Sequence, residues 1–315
     1  MRLIFMGTPE AAVQTLRRCV EDGHEVVAVW TQPDRPAGRG NKLKAPPVKE
    51  YAEERGIPVH QPSKIRTDEA LALFASHRAD AAVVVAYGRI LPSTFLSTPP
   101  LGCLNVHFSL LPKYRGAAPV NWAIARGERE TGVTTMRIDE GLDTGPLLLQ
   151  RATPIGEDET APQLLERLSL MGAELLSETL ARLDEIEPRP QRDQDATHAP
   201  ILRREDGLID WTRDAFEIAR RVRGFQPWPN VYSSHNGRRF VIRRAAPLES
   251  HAVLSGVESE GESGKIVEAS GDDFVIACGA GTALRILEAQ PEGKQRMSAR
   301  DFVNGMHPCV GERLA

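Results

Sequence analysis

The residues best equipped for chemistry in this chain are Asn105 and His107, in the run Asn105-Val106-His107, and Asp143, thirty-six positions later in Glu140-Gly141-Leu142-Asp143-Thr144-Gly145. A carboxamide and an imidazole can aim two hydrogen-bond donors at one oxygen, which is what a negative charge developing in acyl transfer requires. A carboxylate such as Asp143 can orient that imidazole or support its charge, and the imidazole can move protons. The preceding stretch Leu101-Gly102-Cys103-Leu104 reads as a short buried strand, so side chains two apart at its exit point to the same side. Alone, His107 fits a partly buried histidine with its hydrogen bonds satisfied, and Asp143 fits a loop aspartate that caps backbone amides. Together, at the carboxyl edge of a parallel strand where open α/β sheets place ligands, the three could serve a tetrahedral intermediate.

The elements that must hold these side chains follow an alternation of strand and helix signals. Leu3–Met6 reads as a strand, and Gly7-Thr8-Pro9-Glu10 turns into a helix with Thr8 as N-cap and Pro9 at the first helical position. Gly7 lacks the second and third glycines of a dinucleotide fingerprint, so it reads as a tight strand-to-helix turn and not as a nicotinamide site. Strands over Glu25–Trp30, Ile57–His60 and Ala81–Ala86 alternate with helices over Val48–Arg55 and Asp68–His77, and a helix near Pro119–Arg126 follows the Asn105/His107 strand. Gly132–Ile138 and Leu147–Ala152 are later strands that could pair with each other. A helix over Ala161–Leu183 ends in a charged stretch that Pro188 and Pro190 keep extended. Beyond it, after a helix over Ala215–Arg223, the short runs Phe240–Arg244, Gly264–Ala269, Asp273–Cys278 and Leu284–Ala289 are separated by turn residues. The fold class is therefore α/β: a Rossmann-like open, mostly parallel sheet over residues 1–188, a linker over 189–207, and a smaller C-terminal β-barrel (OB-like) domain over 208–315.

Composition bounds the function. At 315 residues, with 41% hydrophobic and 26% charged content, the chain is an ordinary globular sequence of about two domains, and no apolar run approaches the ~20 residues of a membrane span. The start, Met1 to Gly7, lacks an export signal, and Cys19, Cys103, Cys278 and Cys309 lack C-x-x-C spacing, which reads as reduced thiols in a cytoplasmic protein. The eight histidines are dispersed, and no metal site is expected. A net charge of -4 excludes a uniformly basic nucleic-acid binder, but eight arginines against two acids lie between Arg213 and Arg244. The segment Thr31–Lys44, rich in proline and glycine, reads as a long mobile loop without regular structure. Its Arg35, Arg39, Lys42 and Lys44 fit either a solvated connection or a clamp for a phosphate-rich substrate. Arg89-Ile90-Leu91 fits either an ordinary strand exit or a segment that reads the edge of a flat heterocycle.

These motifs resemble the 10-formyltetrahydrofolate-dependent formyltransferase family. Thr31-Gln32-Pro33-Asp34-Arg35-Pro36-Ala37-Gly38-Arg39-Gly40, Asn105-Val106-His107-Phe108-Ser109-Leu110-Leu111-Pro112, Arg115-Gly116-Ala117-Ala118-Pro119 and Gly141-Leu142-Asp143-Thr144-Gly145 stand in that family's order and approximate spacing. The resemblance covers the whole chain, with weaker motifs in the C-terminal part. It implies that Asn105, His107 and Asp143 are catalytic, and that Arg89, Ile90, Leu91, Ser109, Leu110, Leu111, Pro112 and Glu140 line a folate pocket. It also implies a formyl donor, 10-formyltetrahydrofolate, no metal, and an acceptor that is the α-amino group of methionine on initiator tRNA. Arg35, Arg39, Lys42 and Lys44, together with Arg220, Arg221 and Arg223, would contact the tRNA, and the protein is expected to act as a monomer. Members that formylate glycinamide ribonucleotide resemble only the first domain. Members that formylate a UDP-amino sugar are the closer alternative, since Leu111-Pro112-Lys113-Tyr114-Arg115-Gly116 and Pro119-Val120-Asn121-Trp122 also look like theirs. A non-catalytic folate- or nucleotide-binding regulator on the same fold is the rival of another class. The number of basic residues outside the trio favours tRNA.

Overall fold

Strands that are apolar at nearly every position must be covered on both faces, and the N-terminal sheet is built around such strands. The computed structural model describes residues 1–37, 42–249 and 262–315. The chain divides into two units, one formed by residues 1–119, 130–154 and 164–200, the other by 120–129, 155–163 and 201–315. In chain order the elements are β1 (Arg2–Gly7), α1 (Glu10–Glu21), β2 (Glu25–Trp30), β3 (Arg35–Ala37), β4 (Lys42–Lys44), α2 (Pro47–Glu53), β5 (Val59–His60), α3 (Asp68–Ser76), β6 (Ala81–Val85), α4 (Ser93–Leu96), β7 (Cys103–His107), β8 (Arg115–Gly116) and α5 (Pro119–Ala125). They continue with β9 (Glu130–Arg137), β10 (Leu147–Pro154), α6 (Ala161–Ala181) and β11 (His198–Ala199).

Seven strands of the first unit form one sheet in the order β10-β9-β7-β6-β1-β2-β5, parallel except for β9. The chain winds outward from β1 in both directions, so the carboxyl ends of β1 and β6 flank the switch point at which such sheets bind ligands. One face buries Ile4, Met6, Trp30, Phe74, Val84, Phe95 and Cys103 in a single cluster. Trp30 meets the rings of Phe74 and Phe95 edge-on at 5.4 and 5.9 Å. Gly7 is a packing requirement: a Cβ there would stand 2.7 Å from the Phe5 ring and 2.9 Å from Ala12.

Two local expectations change. Thr8 does not cap α1, because Pro9 holds the cap position and the Thr8 hydroxyl instead donates to the Tyr87 carbonyl at 3.1 Å. The described residues of segment 31–44 include two strands: β3 and β4 pair antiparallel, with Arg35 opposite Lys44 and Pro36 opposite Leu43. Proline is compatible with this ladder because a two-stranded hairpin consists only of edge strands. The stretch after α6 runs extended and is hydrogen-bonded to the rest of the first unit. Arg189 exchanges two 2.8 Å backbone hydrogen bonds with Leu147, and β11 pairs parallel with β8.

In the second unit, α7 (Ala215–Gly224) is capped by the Asp214 carboxylate, which accepts from the Glu217 amide at 2.7 Å. Strands β12 (Val231–His235), β13 (Arg238–Leu248), β14 (Ile266–Ser270), β15 (Asp273–Ala277) and β16 (Ala283–Pro291) form an antiparallel sheet in the order β12-β13-β16-β15-β14. A sixth strand, β17 (Met297–Ser298), joins β16, and α8 (Ala299–Met306) follows. Phe302 of α8 packs against Phe240 and Phe274, ring centroids 4.9 and 5.3 Å away.

Candidate functional site

The alternation of β7 places Asn105 and His107 on the face that carries Cys103, at the carboxyl end of the strand. Asn105 lies in register between Val84 of β6 and Met136 of β9. It is half-buried, and among the described residues its carboxamide makes no hydrogen bond. His107 is 6% exposed, and its Nε2 lies 3.0 Å from the carbonyl oxygen of Tyr114. A carbonyl can only accept, so Nε2 carries a proton and donates it there. Nδ1 is the ring nitrogen turned toward Asp143, whose carboxylate stands 3.7 Å from it.

The 139–145 loop is built to present Asp143. The capping role falls to Asp139, whose carboxylate accepts from the Gly141 amide at 3.1 Å and the Thr144 hydroxyl at 2.6 Å. Asp143 itself is left-handed, φ 55°, and its Oδ2 accepts from the Gly116 amide at 2.8 Å. Gly145 is required because a Cβ would stand 2.0 Å from the Arg137 carbonyl oxygen. The trio is thus assembled by two loops, 108–118 after β7 and 139–145 after β9. Tyr114 and Gly116 contribute through backbone atoms, so the motifs that contain them mark their positions but not these roles.

The residues singled out for folate separate into two groups. Ile90, Leu91 and Glu140 line a cavity of about 480 Å³ together with residues 65–68, Leu71 and residues 92–94. A second cavity of about 450 Å³ adjoins Arg89 and Ile90 beside residues 63–66. Arg89 braces that edge, donating to the Ser63 carbonyl at 2.8 Å and to Gln32 at 3.2 Å, while Gln32 donates to the Tyr87 carbonyl at 3.0 Å. Ser109 to Pro112 line neither cavity. The Ser109 hydroxyl is spent on the Lys113 carbonyl at 2.6 Å, Leu111 packs with Met136 and Leu147, and this turn delivers the Tyr114 carbonyl to His107. Residues 65–68, Leu71, Ser93 and Thr94 carry no sequence signal for this edge, since they are ordinary loop and helix-start residues.

The basic residues also separate. Arg35, Lys42 and Lys44 are exposed on the β3–β4 hairpin, beside Leu43 at 72% exposure, whereas Arg39 lies outside the described residues. In α7, Arg221 pairs with Glu217 at 3.1 Å, and Arg223 donates to the Glu159 carbonyl at 2.9 Å. Burial holds the Arg223 pKa below its ordinary value. Arg220 packs beside Gly127, where a Cβ would stand 2.9 Å from its Nε.

Burial pushes the thiols of Cys19, Cys103 and Cys278 up to about 12, so none of them is a thiolate nucleophile near neutral pH. Among the described residues no group of three or more His, Cys, Asp or Glu is placed to hold a metal ion. No described helix is long and apolar enough to cross a membrane.

Comparison with known proteins is consistent along the chain. A family model described as formyl transferase matches residues 1–180, and one described as formyl transferase, C-terminal domain, matches residues 201–307. A methionyl-tRNA formyltransferase of Citrifermentans bemidjiense is 50% identical over 307 residues, covering 97% of this chain and 93% of its own. One of Geobacter metallireducens is 48% identical over 316 residues, covering 100% and 98%. Among solved structures, the sugar 3N-formyl transferase WlaRD, crystallised with dTDP and 5-N-formyl-THF, is similar with a TM-score of 0.65. That likeness covers 94% of this chain and 99% of the other at 18% identity, and is one of fold.

Proposed function

The chain belongs to the methionyl-tRNA formyltransferase family of formyl-transferring enzymes, and we propose that Asn105, His107 and Asp143 carry the transfer. The reaction moves the formyl group of 10-formyltetrahydrofolate to the α-amino group of methionyl-initiator tRNA. The observation that carries the assignment is the arrangement of the trio: an Asn105 carboxamide without an internal partner among the described residues, and an imidazole whose Nδ1 faces a carboxylate at 3.7 Å.

The residues present fit the formyl donor. A cavity of about 480 Å³ falls in the range of small-molecule sites, roughly 300–1,000 Å³, and apolar Ile90 and Leu91 border it beside Glu140. These residues would hold the folate, and bound folate supplies the formyl group. The α-amino acceptor has a reference pKa of ~8, so a useful neutral fraction exists near pH 7 without a strong base. Attack of that amine on the formyl carbon places negative charge on the formyl oxygen, and Asn105 donates a hydrogen bond to it. Because Nε2 is committed to Tyr114, His107 can donate to the same oxygen only when Nδ1 is protonated, as an imidazolium supported by Asp143. One proton must leave the amine and one must reach the departing folate nitrogen, and the Nδ1–Asp143 pair is the group placed to exchange both. Loss of one oxyanion donor typically costs ~10²–10³ in rate.

In this reading residues 1–188 are the catalytic domain, 189–207 the connection and 208–315 a tRNA-binding domain, all in a cytoplasmic enzyme. The exposed Arg35, Lys42 and Lys44, with Arg39 between them in sequence, supply phosphate contacts to the tRNA. The substrate is tested by incubating the purified protein with 10-formyltetrahydrofolate and, in parallel, charged initiator tRNA or a UDP-amino sugar. The tRNA should be preferred by roughly 10²-fold or more in kcat/KM. A faster reaction with the sugar would overturn the assignment.

A further inference from the structure

Gln191 sits in the extended stretch after α6, among residues whose composition reads as connecting chain, yet its amide makes three hydrogen bonds to the two loops that assemble the trio. Its Nε2 donates to the carbonyls of Asp143 and Gly145, both at 2.8 Å, and its Oε1 accepts from Arg115 Nε at 3.0 Å. This orientation is forced, because a flipped amide would set its oxygen against two carbonyls and its NH2 against a guanidinium. Arg115 is 5% exposed and is also paired with Asp193 at 2.9 Å. It lies between Tyr114, whose carbonyl holds His107 Nε2, and Gly116, whose amide holds Asp143 Oδ2. One side chain therefore grips the Asp143 loop by its backbone and the His107 loop through Arg115.

The flanking chain reinforces the grip. The Thr197 hydroxyl accepts from the Tyr114 amide at 2.9 Å, and a Cβ on Gly116 would stand 2.5 Å from the Ala199 carbonyl oxygen. We propose that Gln191 is a positioning residue that fixes the spacing between His107 Nδ1 and the Asp143 carboxylate by cross-linking their two loops. It touches no reacting atom and acts through Asp143. The inference rests on the assignment of the trio as the catalytic group.

The test uses the full-length enzyme with Gln191→Glu, which is isosteric and keeps the Arg115 contact but cannot donate to the two carbonyls, and with Gln191→Met, which keeps only the shape. Both are checked for an unchanged circular dichroism spectrum, and either one suffices if the other fails to fold. A small displacement at a reacting pair costs up to ~10² in rate, so kcat should fall about 10- to 100-fold while KM for tRNA and the folate dissociation constant move less than about threefold. In an Asp143→Asn background the same Gln191 substitution should add little further loss, because its route of action is already removed. Wild-type kcat in folded Gln191 variants, beside a slow Asp143→Asn enzyme, would overturn the inference and leave the trio intact. Fully multiplicative losses would also overturn it, since Gln191 would then act independently of Asp143. A fast Asp143→Asn enzyme would remove the trio assignment itself, and the inference with it.

Discussion

The β3–β4 hairpin and helix α7 both carry runs of positive charge, but the two regions use that charge differently. In the hairpin, Arg35 and Lys44 stand directly opposite each other, with Lys42 exposed beside them. Like charges facing across a ladder destabilise it, and an opposing polyanion would relieve the cost. In α7, Arg221 is paired with Glu217 and Arg223 with the Glu159 carbonyl, and Arg220 is wedged beside Gly127. Those guanidinium groups fasten the second unit. A count of charges along the sequence treats the two regions alike, whereas burial and partners separate charge available to a phosphate from charge already committed.

The comparison is broken most sharply by reversing the hairpin. Arg35→Glu combined with Lys44→Glu should raise KM for methionyl-tRNA by about 10²-fold with unchanged folate binding. It should also flatten the dependence of log affinity on log salt by about one unit for each phosphate that is no longer neutralised. A KM and salt slope equal to wild type would remove the hairpin from the tRNA interface. A smaller effect of another kind is expected in α7. Arg223→Ala removes the hydrogen bond to the Glu159 carbonyl and should cost roughly 1 kcal/mol of stability, lowering Tm by a few degrees, with KM for tRNA within about threefold. If instead KM rose as far as in the hairpin variant at constant Tm, the arginines of α7 would be contact residues and the distinction would fail.

Much of the fold is legible in the sequence because its signals are local. The apolar runs of β1 and β6 and the amphipathic pattern of α1 place the sheet and its switch point, and the period of two along β7 puts Asn105 and His107 on one side. Strand β12 is absent from the expected elements, although the turn after it carries a signal: Asn236-Gly237, both at positive φ, is the preferred pair for a two-residue turn between such strands. The β3–β4 pairing is obscured by Pro36, which argues against a central strand but not against an edge. In the site, side-chain chemistry is visible in the sequence and its backbone scaffold is not. His107 is held by a carbonyl and Asp143 by an amide, groups that nearly every residue owns. Gln191 is hidden for a different reason, since its three partners lie 46 to 76 positions away in sequence.

Single-turnover formyl transfer by His107→Ala, with charged initiator tRNA and 10-formyltetrahydrofolate both saturating, addresses the chemistry directly. The rate should fall ~10²–10⁴-fold while the folate dissociation constant stays within about twofold of wild type. A variant that binds folate normally and still transfers formyl at the wild-type rate would contradict the role assigned to the His107–Asp143 pair.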